Sequence, residues 1–283
     1  MNIVVTGGAG FIGTNLINRL VAGGHKVTSI DDYSTGTPDN HNKNAFYIHQ
    51  SVTSFDFENY IPKVDLIFHL AAMSRIQPSF DNPVSTFTNN VLGTVKVLDY
   101  AKKNKVKVVY AGSSSKWHDH TDSPYSTTKF LGEEACKLYR KAYDVNVEIA
   151  RFYNVYGPYE SLDVKNGNVI GIWRKQVELK KPLTIVGDGQ QRRDFIHVDD
   201  IVLGLVKIGL GFKHHEDAWE LGTGKNYSIE ELFDFFKLKY DCDKINIPDQ
   251  KGNYKATLQT NDDAQKRLDW KPKDRLKHYI LNL

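Results

Sequence analysis

The sequence predicts an α/β protein with a doubly wound parallel sheet of the Rossmann type and a smaller substrate-binding region towards the C-terminus. Two observations lead to this prediction. A glycine-rich turn, GGAGFIG at residues 7–13, directly follows the short apolar run at residues 3–5. Beyond it, strand patterns alternate with helical patterns as far as residue 152, which is the order that a doubly wound sheet requires.

The predicted elements follow from the apolar spacing along the chain. Strands are predicted at residues 3–5, 26–30, 64–70, 106–110 and 147–152, and helices at residues 84–103 and 124–143. After residue 157 the pattern loosens into loops, which we expect to fold over the carboxyl edge of the sheet, where open α/β folds bind ligands. We therefore expect a cofactor-binding domain at residues 1–155, to which residues 190–222 return, and a substrate-binding region formed by residues 156–189 and 223–283.

The composition is that of an ordinary globular enzyme, with 283 residues of which 40% are hydrophobic and 25% are charged. A net charge of +3 is too small to indicate a nucleic-acid partner. Cys136 and Cys242 stand alone, so we expect neither a disulfide framework nor a metal site. The first strand leaves no room for a signal peptide and no stretch is long enough to span a membrane, so we expect a cytoplasmic protein.

The glycine-rich turn predicts a dinucleotide site. Gly8, Gly10 and Gly13 have the G-x-G-x-x-G spacing that lets the backbone approach a pyrophosphate at the N-terminus of a helix. The second strand ends in Asp31 and Asp32, where such folds place a carboxylate on the adenosine ribose. No Arg or Lys follows within the next several residues to neutralise a 2′-phosphate, so the sequence favours NAD over NADP.

Tyr125 and Lys129 are four residues apart on a predicted helix, so both side chains can reach the same cleft. To act as a base near neutral pH, a phenol needs its pKa lowered by about three units from its usual value, or about 4 kcal/mol. On their own, such residues are more typical of a surface pair. The serines at residues 113–115, which follow the preceding strand, and the glycine turn favour a catalytic pair instead.

With these motifs, the chain resembles an extended short-chain dehydrogenase/reductase, specifically a nucleotide-sugar epimerase/dehydratase. The resemblance runs almost from end to end, through TGGAGFIG (6–13), HLAA (69–72), NVLGT (90–94), Tyr125 with Lys129, RFYNVYGP (151–158) and RDFIHVDD (193–200). It implies NAD in the N-terminal region, a nucleoside diphosphate sugar in the cleft, and a catalytic set of Ser or Thr, Tyr and Lys.

The resemblance assigns roles to individual residues. The catalytic set is Ser114, Tyr125 and Lys129, with Ser113 and Ser115 close to the serine position. The cofactor-binding residues are Gly7, Gly10, Phe11, Ile12, Asp31, Asp32, Leu70, Ala71, Ala72 and Asn90, together with Tyr125 and Lys129. The substrate-binding residues are Ser114 at the sugar, Asn154 and Arg193 at the diphosphate, Asn168 near the uracil, and Thr257 beside C2 of the sugar. An ion pair with Asp194 or Asp199 is the alternative for Arg193.

The chain departs from the family pattern at several positions. Ser51 replaces an aspartate that binds the adenine, while Gln250 and Asn253 replace an arginine and an acid that grip the nucleotide. Lys251 is a candidate to compensate for the missing arginine. The segment between Ser115 and Tyr125 is shorter than in typical relatives, which predicts a more open cleft.

The same resemblance narrows the reaction. Dehydratases of the family set an Asp-Glu pair beside the catalytic residue, and decarboxylases set a glutamate after it. This chain has Ser115, Lys116 and Trp117 there, which favours a UDP-hexose 4-epimerase. Thr257 stands where epimerases restricted to unacetylated sugars carry a tyrosine, so UDP-N-acetylglucosamine and UDP-N-acetylgalactosamine are the expected pair. The alternatives are a UDP-glucuronate 4-epimerase, a keto-sugar reductase, and a non-catalytic NAD sensor, which would have lost Tyr125 or Lys129.

The family also pairs its subunits through two helices. Residues 84–103 and 124–143 correspond to these helices and have more apolar residues than one sheet-facing stripe needs, including Leu92, Phe130, Leu138 and Tyr139. We therefore expect a homodimer.

Overall fold

The computed structural model describes residues 1–60 and 63–283. Its strands are short and mostly buried. They are β1 (Asn2–Thr6), β2 (Lys26–Asp31), β3 (Phe46–His49), β4 (Leu66–His69), β5 (Lys107–Ser113), β6 (Val147–Phe152), β7 (Asn154–Tyr156), β8 (Leu183–Val186), β9 (Arg192–His197), β10 (Trp219–Leu221), β11 (Asn226–Ser228) and β12 (Lys244–Ile247).

Seven of these strands form one parallel sheet in the order β10-β6-β5-β4-β1-β2-β3. The order in which strands are added to the sheet reverses at β1, whose neighbours are β2 on one side and β4 on the other. Thr6 at the end of β1 pairs with His69 at the end of β4. Ligands of doubly wound sheets bind outside the carboxyl ends of the strands at such a switch point. The predicted α/β fold class is confirmed, and the sheet directs the search for the site to this edge.

The helices lie on both faces of the sheet and in the C-terminal part of the chain. They are α1 (Phe11–Ala22), α2 (Phe57–Tyr60), α3 (Ile76–Asp81), α4 (Pro83–Phe87), α5 (Gly93–Asn104), α6 (Pro124–Tyr143), α7 (Val169–Glu178), α8 (Val198–Leu210), α9 (Ile229–Lys237), α10 (Asp263–Arg267) and α11 (Leu276–Leu281). Within residues 1–60 and 63–283, no helix is both long and apolar enough to cross a membrane.

Two apolar layers hold the large sheet, and a third core lies outside it. Leu16 of α1 and Leu205 of α8 belong to the layer on one face, while Leu98 of α5 and Cys136 of α6 belong to the layer on the other. The third core surrounds Trp173 of α7, which packs with α9, α11 and β8. Strand β10 joins the large sheet beside β6, so the chain returns to the first unit after crossing the smaller one.

A buried ion cluster ties α6 to β6 and β10. The Arg151 guanidinium bonds Glu133 at 2.8 Å, Asp217 at 2.7 Å and Glu220 at 2.9 Å. Arg151, Glu133 and Glu220 are almost completely buried, so each charge depends on the others for solvation. Because Glu133 lies one turn beyond Lys129, the cluster also fixes the helix that presents the predicted catalytic pair.

Some predicted elements agree with the structure throughout and one is divided in two. The predicted ranges 124–143 and 147–152 coincide with α6 and β6. The helix predicted at residues 84–103 is present, since helical backbone runs from Pro83 to Asn104, but a π-helical turn, Thr88–Leu92, divides it into α4 and α5. The turn places Asn90 where its side chain reaches the Met73 backbone and Thr128.

The prediction of mainly loops after residue 157 is wrong. This part of the chain contains the amphipathic helices α7 and α8 and the strands β8 and β9. Asn168 caps α7 by accepting a hydrogen bond from the Gly171 N–H at 2.7 Å, a start signal that the glycines around it obscured.

Candidate active site

Gly7, Gly8 and Gly13 of the glycine-rich turn are packed too tightly to carry a side chain. Gly7 has a φ of +72°, and a Cβ on it would lie 2.8 Å from the Ala71 nitrogen and 3.0 Å from the Leu70 carbonyl carbon. A Cβ on Gly13 would lie 2.1 Å from the Gly7 oxygen. The structure therefore brings predicted cofactor residues of β1 and of the segment after β4 together at the switch point.

The N-terminus of α1 is open to an anion. Gly10 is its N-cap and supplies no side-chain hydrogen bond, and the first turn has no acidic residue. The N–H groups of Phe11 and Ile12 have no acceptor within the described residues. Free N–H groups at a helix start fit a pyrophosphate, so this end of the cleft fits a dinucleotide.

Asp31 links the turn to the loop that follows β2. Its carboxylate accepts hydrogen bonds from the N–H groups of Ala9 at 2.9 Å and Tyr33 at 2.8 Å. Burial raises the pKa of Asp31, and these two bonds oppose the shift. Each oxygen retains a lone pair for a ribose hydroxyl. Asp32 lies beside it and accepts from the Ser34 N–H at 3.0 Å, so two carboxylates end β2, which suits an unphosphorylated ribose.

The segment after β4 is held in place by hydrogen bonds from Thr6 and Asn90. The Ala71 N–H donates to Thr6 Oγ1 at 3.2 Å, and half-buried Ala72 follows. Asn90 accepts from the Met73 N–H at 2.8 Å, and its amide donates to the Met73 carbonyl and to Thr128 Oγ1. Both donor hydrogens of Asn90 are thus used inside the protein. The structure gives Asn90 a positioning role in place of the predicted direct cofactor contact.

Tyr125 lies beside Ser113, and this corrects the predicted catalytic serine, Ser114. The Tyr125 hydroxyl donates to Ser113 Oγ at 3.1 Å. Strand β5 continues to Ser113, three residues beyond its predicted end, and the chain then turns into a short 3-10 helix, Ser114–Trp117. A shift of one residue at a strand end changes the direction of a side chain, which is why Ser113 and not Ser114 meets the phenol.

Lys129 is buried beneath this pair. Its ammonium donates to the Ala111 carbonyl at 2.9 Å. Burial lowers the pKa of Lys129 to about 8, and the Glu133 carboxylate opposes the shift. Burial raises the pKa of Tyr125, which the Ser113 hydrogen bond and the Arg75 charge partly offset. The pocket thus holds a neutral phenol against a serine, with cations nearby that favour its ionised form.

Arg193 supplies a positive charge with no carboxylate partner among the described residues. Its guanidinium donates to Asn253 Oδ1 at 2.6 Å and to the Arg192 carbonyl at 2.9 Å. Burial lowers the pKa of Arg193 to about 10. Because Asn253 is neutral where relatives carry an acid, the Arg193 charge stays available to an anion. The alternative ion pair is wrong.

The other two acids have different partners. Asp194 accepts from the Thr223 hydroxyl at 2.7 Å and from the Gln259 N–H at 3.1 Å. Asp199 lies near His197 and Arg275.

Asn154 and Thr257 meet at the edge of the same cleft. Thr257 Oγ1 donates to Asn154 Oδ1 at 3.1 Å and accepts from the Asp194 N–H at 3.2 Å. The Thr257 hydroxyl proton is therefore used inside the protein. The Asn154 amide nitrogen has no hydrogen bond with any described residue and remains free to donate to a ligand.

Asn168 does not present its side chain to a ligand. Besides capping α7, its amide donates to the Val155 carbonyl at 3.0 Å and to Glu160 at 2.9 Å. The predicted contact with the uracil end is therefore replaced by a role in holding α7 against β7.

Three residues of the site were not predicted as such. Tyr254 shares a hydrogen bond with Ser126, in the first turn of α6, and its ring stacks on His118 with the ring centres 3.9 Å apart. Arg75 follows β4 and precedes α3, at the carboxyl edge where ligands bind. Arg75 could have been predicted from its place after β4 in the sequence. The stacking of His118 on Tyr254 joins distant segments of the chain, so no sequence signal predicts it.

We expect Ser113→Ala and Ser114→Ala to differ. Ser113→Ala removes the hydroxyl that accepts from Tyr125 and should lower kcat about 10- to 100-fold, the lower part of the range for a proton-transfer partner. Ser114→Ala, with the same loss of one oxygen, should stay within about threefold of the unchanged protein. Steady-state rates of both variants measure this, and the opposite order would restore Ser114 as the catalytic serine.

Comparison with known proteins agrees with this geometry. Residues 3–222 match the model of the NAD dependent epimerase/dehydratase family. A putative UDP-glucose 4-epimerase of Methanocaldococcus jannaschii is 31% identical over 98% of this chain and 95% of its own length.

Two solved structures show the same overall fold with different sugars. A UDP-N-acetylglucosamine 4-epimerase of Methanobrevibacter ruminantium has a TM-score of 0.91 and 26% identity, over 99% of this chain and 96% of that one. A UDP-glucuronic acid 4-epimerase of Bacillus cereus, in complex with UDP-glucuronic acid and NAD, has a TM-score of 0.88 and 28% identity over the same shares. The chain therefore belongs to the NAD-dependent epimerase/dehydratase family, among the extended short-chain dehydrogenases/reductases that act on nucleotide sugars, and its cofactor is NAD.

Proposed function

We propose that this protein is a UDP-sugar 4-epimerase that interconverts UDP-N-acetylglucosamine and UDP-N-acetylgalactosamine through a transient 4-keto sugar. The observation that carries the proposal is the Tyr125–Ser113 hydrogen bond of 3.1 Å at the carboxyl edge of the sheet. Segment 113–117 offers a serine hydroxyl to the phenol and contains no carboxylate. A site with one proton-transfer pair and no additional acid suits oxidation and reduction at one carbon better than elimination of water.

In this mechanism Tyr125 removes the proton of the C4 hydroxyl and later returns it. Ser113 hydrogen-bonds the same oxygen and keeps it aligned with the phenol. Lys129, a buried cation anchored on the Ala111 carbonyl, favours the phenolate and holds the nicotinamide ribose. NAD, when bound, supplies the redox chemistry by accepting a hydride from C4 and giving it back to the opposite face. The residues of the glycine turn and the α1 N-terminus hold the pyrophosphate of that cofactor.

Arg193 and Asn154 are the proposed ligands of the substrate diphosphate. The guanidinium is a planar fork of donors that suits phosphate oxygens, and its charge has no carboxylate partner in the described part of the chain. Asn154 has a free amide nitrogen at the end of β6 and the start of β7. Both donors follow Tyr125 in the chain, on β7 and β9. We propose that the nucleotide enters the cleft over the smaller unit.

The preference for an acetylated sugar rests on the volume at residue 257. Thr257 is 5% exposed and bonds Asn154, and its side chain is much smaller than that of a tyrosine. Pockets discriminate by size only where the larger group meets an obstacle. A small residue here leaves room for the C2 acetamido group.

Thr257→Tyr should suppress the acetylated reaction selectively. We expect the ratio of acetylated to unacetylated kcat/KM to fall at least about tenfold, the loss typical of a filled pocket. Thr257→Val is the control, since it keeps the volume and removes only the hydroxyl that holds Asn154. Equal losses of activity with both sugars in Thr257→Tyr would mean that residue 257 supports the fold and does not select the sugar.

The reaction itself is tested by giving the purified protein four substrates: UDP-glucose, UDP-N-acetylglucosamine, UDP-glucuronate and GDP-mannose. NMR of the products should show a C4 epimer, with no net change in absorbance at about 340 nm because the cofactor ends each turnover oxidised. A steady requirement for added NADPH would instead identify a reductase.

We also propose a homodimer. Leu92 is 46% exposed and Leu138 of α6 is 56% exposed, and α5 lies against α6 in the structure. Phe130 and Tyr139 are half-buried in the same layer. Exposed apolar side chains clustered on paired helices are typical of a subunit interface. Light scattering at micromolar protein should give twice the mass of the chain, and a monomer mass would exclude this interface.

A further inference from the structure

Arg75 is a cation in the cleft that has no carboxylate within ion-pair distance among residues 1–60 and 63–283. Its Nε donates to the Asn166 carbonyl at 2.9 Å, whereas its two terminal nitrogens make no hydrogen bond with any described residue. No carboxylate of the described chain forms an ion pair with it. The bond from Nε fixes the orientation of this half-buried guanidinium, while its two terminal nitrogens still need hydrogen-bond acceptors. An anionic ligand would supply them.

This cation lies close to the reacting centre. Arg75 immediately precedes α3, and Ser79 of α3 accepts a hydrogen bond from the Tyr125 N–H at 3.1 Å. Removal from water lowers the pKa of Arg75, while the acidic groups of Tyr125 and Glu160 oppose that shift. Glu160 is already paired with Arg174 at 3.0 Å, so it does not use up the Arg75 charge.

The diphosphate has a different cation. Arg193 bonds Asn253, and its charge acts on His118 and Tyr254, whereas the Arg75 charge acts on Tyr125. In a pyranose ring, C1 with its diphosphate and C4 lie at opposite ends. With C4 at Tyr125, a cation whose charge acts on Tyr125 is within reach of the substituents of the two neighbouring carbons, C3 and C5. Among these, the C6 group on C5 is the one that can be a carboxylate.

We propose that Arg75 is a specificity-determining residue that binds the C6 carboxylate of a UDP-hexuronate, so that the preferred substrate is a UDP-N-acetylhexosaminuronate. This inference rests on the proposed 4-epimerase function: it keeps the reaction at C4 and the C2 acetamido group, and it replaces the C6 hydroxyl of the proposed sugar by a carboxylate. The guanidinium fork matches a carboxylate with two parallel hydrogen bonds, which a primary C6 hydroxyl cannot reproduce.

The test compares UDP-N-acetylglucosamine with its C6 carboxylate form in the unchanged protein, Arg75→Gln and Arg75→Lys. The unchanged protein should prefer the uronate at least about tenfold in kcat/KM, and Arg75→Gln should reduce that preference by about 100-fold, mainly through KM of the uronate. Arg75→Lys keeps the positive charge but loses the two parallel donors, so its preference for the uronate should lie between those of the unchanged protein and Arg75→Gln. Because the Arg75 charge lowers the pKa of Tyr125, the pH at half-maximal kcat should rise in Arg75→Gln and stay in place in Arg75→Lys, which keeps the charge.

Two results would overturn the inference. One is a neutral sugar used as well as or better than the uronate. The other is an equal loss with both sugars in Arg75→Gln, which would mean that Arg75 acts on the Tyr125 phenol and not on the C6 carboxylate of the substrate.

A protein that epimerises none of these sugars would contradict the proposed function, and the inference would then be judged by binding. Calorimetry on the NAD-loaded protein should still give tighter binding of UDP-glucuronate than of UDP-glucose, with the difference lost in Arg75→Gln. The absence of that difference would overturn the role of Arg75 independently of catalysis.

Discussion

Tyr125→Phe should retain NAD and UDP-sugar and lose at least roughly a thousandfold in kcat, about 4 kcal/mol of transition-state stabilisation. The substitution removes one oxygen, the atom that donates to Ser113, and keeps the backbone N–H that donates to Ser79 of α3. The loss is at the upper end for one acid-base group because the same oxygen acts when the sugar is oxidised and again when it is reduced. Initial rates measure the loss of kcat, and the NAD released on denaturation measures how much cofactor the variant retains.

Tyr139→Phe is the matched control. Tyr139 lies on the same helix, α6, but its ring contacts Tyr143 near the far end, with the ring centres 5.1 Å apart and the rings tilted by 56°. The control should be as active as the unchanged protein. Activity near the unchanged level in Tyr125→Phe would remove Tyr125 from the mechanism.

Gly7→Ala should abolish stable NAD binding, with the affinity reduced at least about 100-fold, or about 3 kcal/mol. The new Cβ would lie 2.8 Å from the Ala71 nitrogen and 2.9 Å from its Cα, both backbone atoms. The turn can accept it only by moving away from the end of β4, which displaces the N–H groups meant for the pyrophosphate. Fluorescence titration with NAD and thermal unfolding measure the effect.

Gly24→Ala separates this crowding from backbone strain. Gly24 also has a left-handed backbone, with a φ of +79°, but a Cβ there meets nothing within 4 Å. It should lose about 1–2 kcal/mol of folding free energy and bind NAD normally. Similar NAD affinities in the two variants would show that Ala71 does not constrain the turn.

Local signals in the sequence were sufficient to predict most strands of the large sheet and the helices that pack on it. Helix α6 was predicted with its observed bounds because Ser123 caps it, accepting from the Ser126 N–H at 3.1 Å, and Pro124 occupies its first position. The π-helical turn could not be predicted in this way. It depends on Asn90 reaching Met73 and Thr128, which are 17 and 38 residues away in the chain.

The site was predicted better as a region than as a set of atoms. The structure brings Tyr125 and Lys129 to the carboxyl edge of the sheet, but the serine that contacts Tyr125 is Ser113, one residue before the Ser114 that the family resemblance assigns. The roles of Asn168 and Thr257 depend on partners that the sequence does not reveal, such as Glu160 and Asn154. The unneutralised charge of Arg75 is likewise a property of the folded chain, since it requires knowing which carboxylates lie elsewhere.

The central claim is that C4 is oxidised and reduced again by a cofactor that stays bound. The most direct measurement uses UDP-N-acetylglucosamine, or its C6 carboxylate form, labelled with deuterium at C4, with NMR of the product. The account predicts that the C4 epimer retains the deuterium at C4 while no reduced cofactor is released. Exchange of the label with solvent, or formation of product only with added reduced cofactor, would contradict it.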